Sequence, residues 1–350
     1  MTDNKALSTL IKAQALGLGF DLAGITTLGS AETADAFEDW LARGYAGEMS
    51  YLPRGAEKRR DTRLPYPGAT SAIVVALNYG GKSPSGPIAR YARGDDYHDV
   101  MWEKLGSLHE WIEEHVGRTV RGKAYVDTGP ILERELARKA GLGWFGKNTN
   151  LINPGIGSFF FIGSLLVDLD LTPDTPFEAD RCGTCTRCLE ACPTQALVAA
   201  QMLDATRCIS YLTIESREAI PEDLRESLGT LVYGCDICQD VCPWNVSFAS
   251  DLTEPALAPR SPMESPSLAD LMRMSAERWR EFSRGSAIKR AKRSGFLRNV
   301  AVALGNSDMP DAIPALVDAL SDEDPLVQEH AAWALSRLQS SRAELETGNR

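Results

Sequence analysis

All eight cysteines of this chain fall between Cys182 and Cys242, and no other feature narrows its possible folds so far. Four stand as Cys182-x2-Cys185-x2-Cys188-x3-Cys192-Pro193. Three stand as Cys235-x2-Cys238-x3-Cys242-Pro243, with Cys208 alone between the runs. Three closely spaced thiolates can grip three corners of a [4Fe–4S] cubane, while a fourth, just before proline, is turned away towards a second cluster. The spacing therefore assigns Cys182, Cys185, Cys188 and Cys242 to one cluster and Cys192, Cys208, Cys235 and Cys238 to another. Cys208 is tied least firmly, because it belongs to no tight run. Disulfides need an oxidising compartment, of which the sequence carries no sign. Structural zinc prefers separated ligand pairs. The chain is expected to carry electrons.

At 350 residues it has room for two or three domains. The first twenty residues lack a charged region ahead of an apolar core, so they do not read as a signal peptide. They read as an amphipathic helix with Leu7, Leu10, Ile11 and Leu18 on one face. The longest apolar stretch, 156–167, is broken by Gly157, Ser158, Gly163 and Ser164 and is too short to span a bilayer. A cytoplasmic location with no membrane partner is the expectation. Net charge is −11, which argues against indiscriminate nucleic-acid binding. Yet residues 272–299 hold nine Lys or Arg against two Glu, including Lys289, Arg290, Lys292 and Arg293. Such a patch can dock a polyanion; a solvated helix face is the simpler alternative.

Residues 1–172 read as an α/β domain. Ser71–Leu77 is a buried strand, Val100–His115 a helix, Lys123–Val126 a short strand, Ile131–Ala140 a helix and Ser158–Val167 a strand. Pro-rich linkers at 172–176 and 254–266 bracket a cysteine domain over 173–253. A linker and helix follow over 254–285. Residues 286–350 are helical and weakly repetitive. Phe296-x3-Val300-x2-Ala303-Leu304 recurs 31 residues later as Val327-x3-Ala331-x2-Ala334-Leu335, in the manner of a short HEAT-type repeat.

Two motifs mislead. Gly141-x-Gly143-x-x-Gly146 matches the dinucleotide fingerprint but follows a helix, where that fingerprint needs a strand. Its glycines still require tight turning or close approach near Lys147-Asn148-Thr149. Asp96-x-His98-x-x-Met101 falls one residue short of the DxHxxG that places histidine on cobalt in cobalamin mutases, so His98 reads as a hydrogen-bonding or core residue. Asp127 ends a strand ahead of Thr128-Gly-Pro130 and a helix. It can cap that helix, as can Thr128, or it can donate a proton at the C-terminal edge of the sheet.

Taken together, several segments resemble the epoxyqueuosine reductase family, which acts last in queuosine biosynthesis in bacterial tRNA. They are Met49-Ser-Tyr-Leu52, Arg90-Tyr-Ala-Arg-Gly-Asp-Asp-Tyr-His98, Val126-Asp-Thr-Gly-Pro130, Gly141–Thr149, Cys208–Glu215 and Tyr233–Asn245. With the helical tail they span nearly the whole chain. The resemblance implies an α/β cobalamin-binding domain, a two-cluster ferredoxin-like α+β domain and the HEAT-like repeat. It implies a base-off cobalamin with no histidine on cobalt, held between the first two domains as in the related reductive dehalogenases. By this likeness Asp127 is the acid. Arg90, Tyr97, Asn148, Thr149 and Ser158 line the corrin, and Ser210 and Asp240 face it from the ferredoxin side. The tRNA anticodon stem-loop would meet Arg217, Lys289, Arg290, Lys292, Arg293 and Arg298. A separate electron donor and a monomeric enzyme are expected. A reductase of small molecules, similar to the dehalogenases, shares these cofactors but has no use for a basic helical tail. A bare electron carrier needs neither the α/β domain nor a corrin.

Overall fold

The architecture comes from a computed structural model and is described for residues 4–348. Its N-terminal part is built on β1 (Leu22–Thr27), β2 (Ser71–Asn78), β3 (Gly122–Tyr125), the two-residue strands β4 (Trp144–Phe145) and β5 (Leu151–Ile152), and β6 (Phe160–Val167). Four strands form one sheet in the order β1-β2-β6-β3. Every ladder in it is antiparallel. The expected α/β domain is therefore corrected to α+β. The sequence signal was sound but ambiguous, because an apolar run with both faces covered looks the same in either sheet type. Ile73, Val75 and Leu77 face one core, with Met101, Leu105, Leu108 and Ile112 of helix Tyr97–Val116. Val74 and Ala76 face the other, with Leu136 and Ala137 of helix Glu133–Lys139.

The first helix, Asn4–Gly17, buries Leu7, Ser8, Ile11 and Ala15. Leu10, expected on that face, is 42% exposed and lies on the outside. Helix Tyr97–Val116 is capped by the Asp96 carboxylate, which accepts the His98 N–H, and stops at Gly117 in the left-handed region. Antiparallel register brings the C-terminal ends of β2 and β3 and the start of β6 to one end of the sheet. Tyr79, Asp127 and Ser158 therefore stand at that end.

The cysteine region contributes short helices Arg187–Glu190, Ile209–Ile214 and Ile237–Asp240 and a small ribbon, β7 (Leu197–Ala199) with β8 (Met202–Leu203). The tail contains helices Lys292–Gly305, Ala312–Ala319 and Pro325–Gly348. Both copies of the sequence repeat face inward, and Phe296, Val300, Ala303, Leu304, Val327, Ala331, Ala334 and Leu335 are all buried. The tail is not a free appendage. One apolar core runs from Ile73 and Met101 through Tyr233 and Leu257 into Phe296 and Leu316. The sequence boundaries near 172, 253 and 285 are breaks in composition, not in packing. Among the described residues, no helix is long and apolar enough to cross a membrane.

Polar groups lock the tail onto the cysteine region. Arg298, expected at the RNA surface, is fully buried and donates to the carbonyls of Leu212, Ser216 and Glu218. Burial, and then repulsion from Arg217, push its guanidinium pKa down to about 10. It cannot reach a phosphate, and its assignment to RNA is corrected to a structural clamp. Asn299 Nδ2 donates to Thr213 O (2.9 Å) and Val232 O (2.8 Å). His330 is likewise buried, with Nδ1 facing Leu326 O (2.7 Å) and Nε2 accepting the Ile220 N–H (3.2 Å).

That arrangement needs neutral His330, and burial pushes its pKa down to about 4 from an ordinary 6.5. The unfolded chain therefore takes up this proton first as pH falls. Stability from the neutral histidine is fully present above about pH 6.5 and is lost progressively towards pH 4. Denaturant unfolding of the loaded protein should lose about 2 kcal/mol more between pH 7 and 5 than His330→Gln loses. Equal slopes for the two proteins would show that His330 is not the titrating group.

Candidate functional site

The eight thiols are free of disulfides and fall into two electrostatic groups. Burial raises the Cys188 pKa first, followed by Cys182, Cys242 and Cys185. Burial likewise raises Cys242, whose thiol neighbours are Cys182 and Cys185. Cys235 is pushed up to about 12 by burial, with Cys208 and Cys192 adding to it. Cys238 is raised further, again chiefly by burial, with Cys235, Cys208, Cys188 and Cys192 around it. Cys188 also acts on Cys238, so the two groups are near enough to feel one another. Among the described residues, no three His, Cys, Asp or Glu side chains converge as they do around a single ion. The cluster reading rests on spacing and on this grouping.

Loop Gly141–Thr149 clamps both cysteine runs. A Cβ on Gly143 would stand 2.2 Å from the Ile152 carbonyl, so only glycine lets β4 and β5 close. The ribbon aims Lys147 and Asn148 at the cysteine region. Lys147 Nζ donates to Gly183 O (2.7 Å) and Cys185 O (2.9 Å). Asn148 Nδ2 donates to Cys238 O (3.2 Å). The loop follows a helix and leads into this ribbon, so it lacks the strand–turn–helix setting of a dinucleotide site. The glycine spacing was legible; the clamping role of Lys147 was not.

Asp127 is not a helix cap. The next helix begins at Glu133, and its N-cap position is Leu132. Asp127 is exposed and sits at φ +53°, an uncommon conformation for any residue but glycine. Two residues hold it there. Its N–H donates to Glu133 Oε1 (2.8 Å), and its Oδ2 accepts the Tyr97 hydroxyl (3.0 Å). Tyr97 is itself clamped, stacked at 4.0 Å on both His98 and Phe161. Burial, and then the Asp127 charge, raise the Glu133 pKa well above the ordinary carboxylate value. Solvent reaches Arg134, yet the surrounding protein encloses it enough to lower its pKa. Its Nη1 donates to Thr149 O (2.7 Å). Thr149 lies at φ +68°. Sequence reasoning missed Glu133 and Arg134, although they stand six and seven residues beyond the acid in the same segment.

Tyr91 and Tyr233 continue from Tyr97 towards Cys235, with ring centroids 6.2 Å apart at each step. Tyr51, 42% exposed, has the Arg290 guanidinium 5.8 Å from its ring centroid. Burial, with Glu215 and Asp127 contributing, pushes its pKa up to about 12. Its segment was noticed only as a match, not as a site. A cavity of about 540 Å³ opens beside Thr128 and runs along the free edge of β3 past Trp102, His109 and Tyr125.

Other expected corrin contacts are already engaged in the interface. Ser158 Oγ accepts from Asn245 Nδ2 (3.0 Å) and Gln239 Nε2 (3.1 Å). Arg90 is buried against Asp236 (3.0 Å) and Asp240 (2.7 Å). Arg90 and Asp240 instead line a separate cavity of about 480 Å³ with Phe159 and Val246. Ser210 lies against the Cys208 thiol.

The basic patch is mostly paired. Lys289 meets Asp96 (3.0 Å), Arg290 meets Glu215 (2.7 Å) and Arg293 meets Asp322 (2.7 Å). Arg217 Nη2 donates to Arg290 O (2.7 Å), which places it beside Tyr51 and Glu215. Lys289, Arg290 and Lys292 are exposed; Arg293 is half-buried. Lys292 alone of the four has no carboxylate partner among the described residues.

Comparison with known proteins agrees with this layout. A family model described as epoxyqueuosine reductase QueG, DUF1730, matches residues 59–128. Models for a 4Fe-4S double cluster binding domain and for HEAT repeats match residues 181–245 and 286–344. The epoxyqueuosine reductase of Escherichia coli K12 is 41% identical, over 96% of this chain and 90% of its own. That of Xanthomonas campestris is also 41% identical, over 93% and 95%. A crystal structure of epoxyqueuosine reductase with an epoxyqueuosine-modified tRNA-Tyr stem loop superposes with a TM-score of 0.87. It is 31% identical and covers 96% of this chain and 91% of that one. The Bacillus subtilis epoxyqueuosine reductase, with its catalytic aspartate loop swung out of the active site, also gives 0.87. It is 30% identical, covering 99% and 94%. This chain belongs to the epoxyqueuosine reductase family.

Proposed function

We propose that this chain reduces epoxyqueuosine to queuosine at the wobble position of tRNA. The observation that carries the reading is Asp127, an exposed carboxylate held in the left-handed region by Tyr97 and Glu133 at the end of the sheet that faces the cysteine region. Removing the epoxide oxygen as water consumes two electrons and two protons. Cys182, Cys185, Cys188 and Cys242 would hold one [4Fe–4S] cluster and Cys192, Cys208, Cys235 and Cys238 another, and these would supply single electrons from a separate donor. Clusters pass electrons singly, so a two-electron reduction needs a further centre.

The residues fit a corrin in kind. The surface around Asp127 presents Tyr97, Thr128 and Arg134, with Thr149 held by Arg134, polar groups that would suit a ring fringed with amides. It offers no ready histidine. His109 and His330 face the carbonyls of Val120 and Leu326, His115 stacks on Trp111, and Asp96 holds His98. Bound there, cobalamin supplies a centre that accumulates electrons beside the substrate.

The chain's own groups handle the protons. Asp127 delivers one to the departing oxygen, and the Tyr97 hydroxyl steadies the carboxylate left behind. Glu133 fixes the Asp127 backbone and, holding its proton to unusually high pH, is the nearest reserve for a second. Tyr51 offers an aromatic face to a base splayed from the anticodon loop. Arg217, Lys289, Arg290 and Lys292 meet the phosphates; Arg293 lies at their edge.

Incubation with epoxyqueuosine-containing tRNA, followed by nucleoside mass spectrometry, tests the reading directly; unreacted epoxyqueuosine under strong reductant would reject it. Fully reconstituted protein should hold about eight irons. Cys185→Ser should damage one cluster and Cys238→Ser the other, whereas saturation at four irons would contradict the two-cluster assignment. Asp127→Asn should fold, keep its iron and bind tRNA, yet turn over at least about a hundredfold more slowly. Near-normal single turnover by that variant would remove Asp127 from the mechanism. Charge reversal at Lys289, Arg290 and Lys292 should weaken tRNA binding and flatten its dependence on salt. Unchanged affinity across several salt concentrations would make the patch ordinary solvated surface.

A further inference from the structure

One group in the Gly141–Thr149 loop has no partner. The Trp144 indole is 2% exposed, and its Nε1 is buried without a hydrogen-bond acceptor. Buried N–H groups are almost always paired. Trp144 belongs to a small apolar cluster with Ile152, Phe177, Trp244 and two thiols, Cys182 and Cys242. Among those side chains, sulfur is the only conventional acceptor. Three residues on, Lys147 brings its ammonium to the carbonyls of Gly183 and Cys185, in the same cysteine run.

We infer that Trp144 and Lys147 set the potential of the cluster held by Cys182, Cys185, Cys188 and Cys242, Trp144 through an N–H···S hydrogen bond and Lys147 through its charge. The inference rests on the cluster assignment above. Hydrogen bonds to sulfur and local charge are two of the levers that tune such clusters. Reduction makes a cluster more negative, so a donor and a cation both stabilise the reduced form and raise its potential. The second cluster receives different treatment from this loop. Asn148 donates to the carbonyl of Cys238 with a neutral amide. One short loop thus touches both clusters and brings a positive charge to only one.

Anaerobic redox titration of the reconstituted full-length chain, read by EPR, follows the two clusters separately. Trp144→Phe keeps an aromatic ring and removes the donor. At fixed poise, the reduced-to-oxidised ratio of the first cluster should fall about fivefold, the size expected for one lost hydrogen bond. That is about 40 mV at 59 mV per tenfold for one electron. Lys147→Gln, which can still donate to the two carbonyls, should shift the same cluster in the same direction. Benzothienylalanine at position 144 keeps the indole shape without the N–H, and should reproduce the Phe result even if Phe disturbs packing. Resonance Raman bands of the iron–sulfur core should respond to D2O in the natural protein and less in these position-144 variants. Unchanged potentials with the sulfur isostere would overturn the inference and leave the N–H to the Trp244 ring, 5.0 Å away and nearly perpendicular. Equal shifts of both clusters would overturn it as well. Fewer than eight irons in the natural protein would reject the cluster assignment itself, an outcome visible before any titration.

Discussion

The two halves of the site meet through Arg90. Its backbone N–H and one guanidinium nitrogen both reach Asp236 (2.9 and 3.0 Å), and Asp240 completes the pair. The guanidinium also lies 4.8 Å from the centre of the Phe159 ring. Asp236 and Asp240 alternate with Cys235, Cys238 and Cys242, so the ion pair grips the second cysteine run at two points. Burial raises the Asp236 pKa, and the Arg90 N–H and charge oppose that rise. Such a pair adds little net stability, but losing one partner strands a buried charge at about 3–5 kcal/mol. Its main effect is orientation. It fixes the cysteine run against the end of the sheet where Asp127, Tyr79 and Ser158 stand.

From that fixed end, the acid is placed by a chain of restraints. Asp96 caps helix Tyr97–Val116 and receives Lys289. Burial opposes its charge, but bonds from His98 and Lys289 hold its pKa well below the usual range. The helix begins with Tyr97, pinned between two rings, and Tyr97 holds Asp127. Glu133 takes the Asp127 N–H from the other side. A residue at φ +53° persists only when its surroundings over-determine it. Here those surroundings are two hydrogen bonds and little packing, a light restraint on an exposed loop.

What the sequence disclosed follows the range of each interaction. Cysteine spacing is local, so a division of the thiols into two sets can be proposed from sequence alone. Buried strands β2 and β6 were readable from apolar runs, but their direction was not, because pairing depends on distant partners. The tail's repeat was readable because Val300 and Ala331 recur at a fixed interval. Arg298 misled because a basic residue among basic residues reads as surface. Only the fold reveals the carbonyls of Leu212, Ser216 and Glu218 waiting for it. Asp127 could be cap or acid from position alone, and the helix start at Glu133 decided against the cap. Glu133 was missed although it stands only six residues beyond Asp127, and Lys147 because the carbonyls it reaches, Gly183 and Cys185, lie far away in sequence.

The same contrast explains how a chain of net charge −11 can meet RNA. Its basic patch is not a bare positive field. Lys289 and Arg290 are already oriented by Asp96 and Glu215, and Arg290 leans over Tyr51. Both side chains remain more than half exposed, so a phosphate can approach them. It must also compete with two carboxylates, which weakens attraction to any polyanion lacking the right shape. Acidic surface elsewhere repels nucleic acid that arrives in other orientations. Lys289 shares Asp96 with the helix that carries Tyr97, so the patch and Asp127 are referenced to one carboxylate. The short segment Arg90 to His98 thus links the basic patch to the residue that holds Asp127.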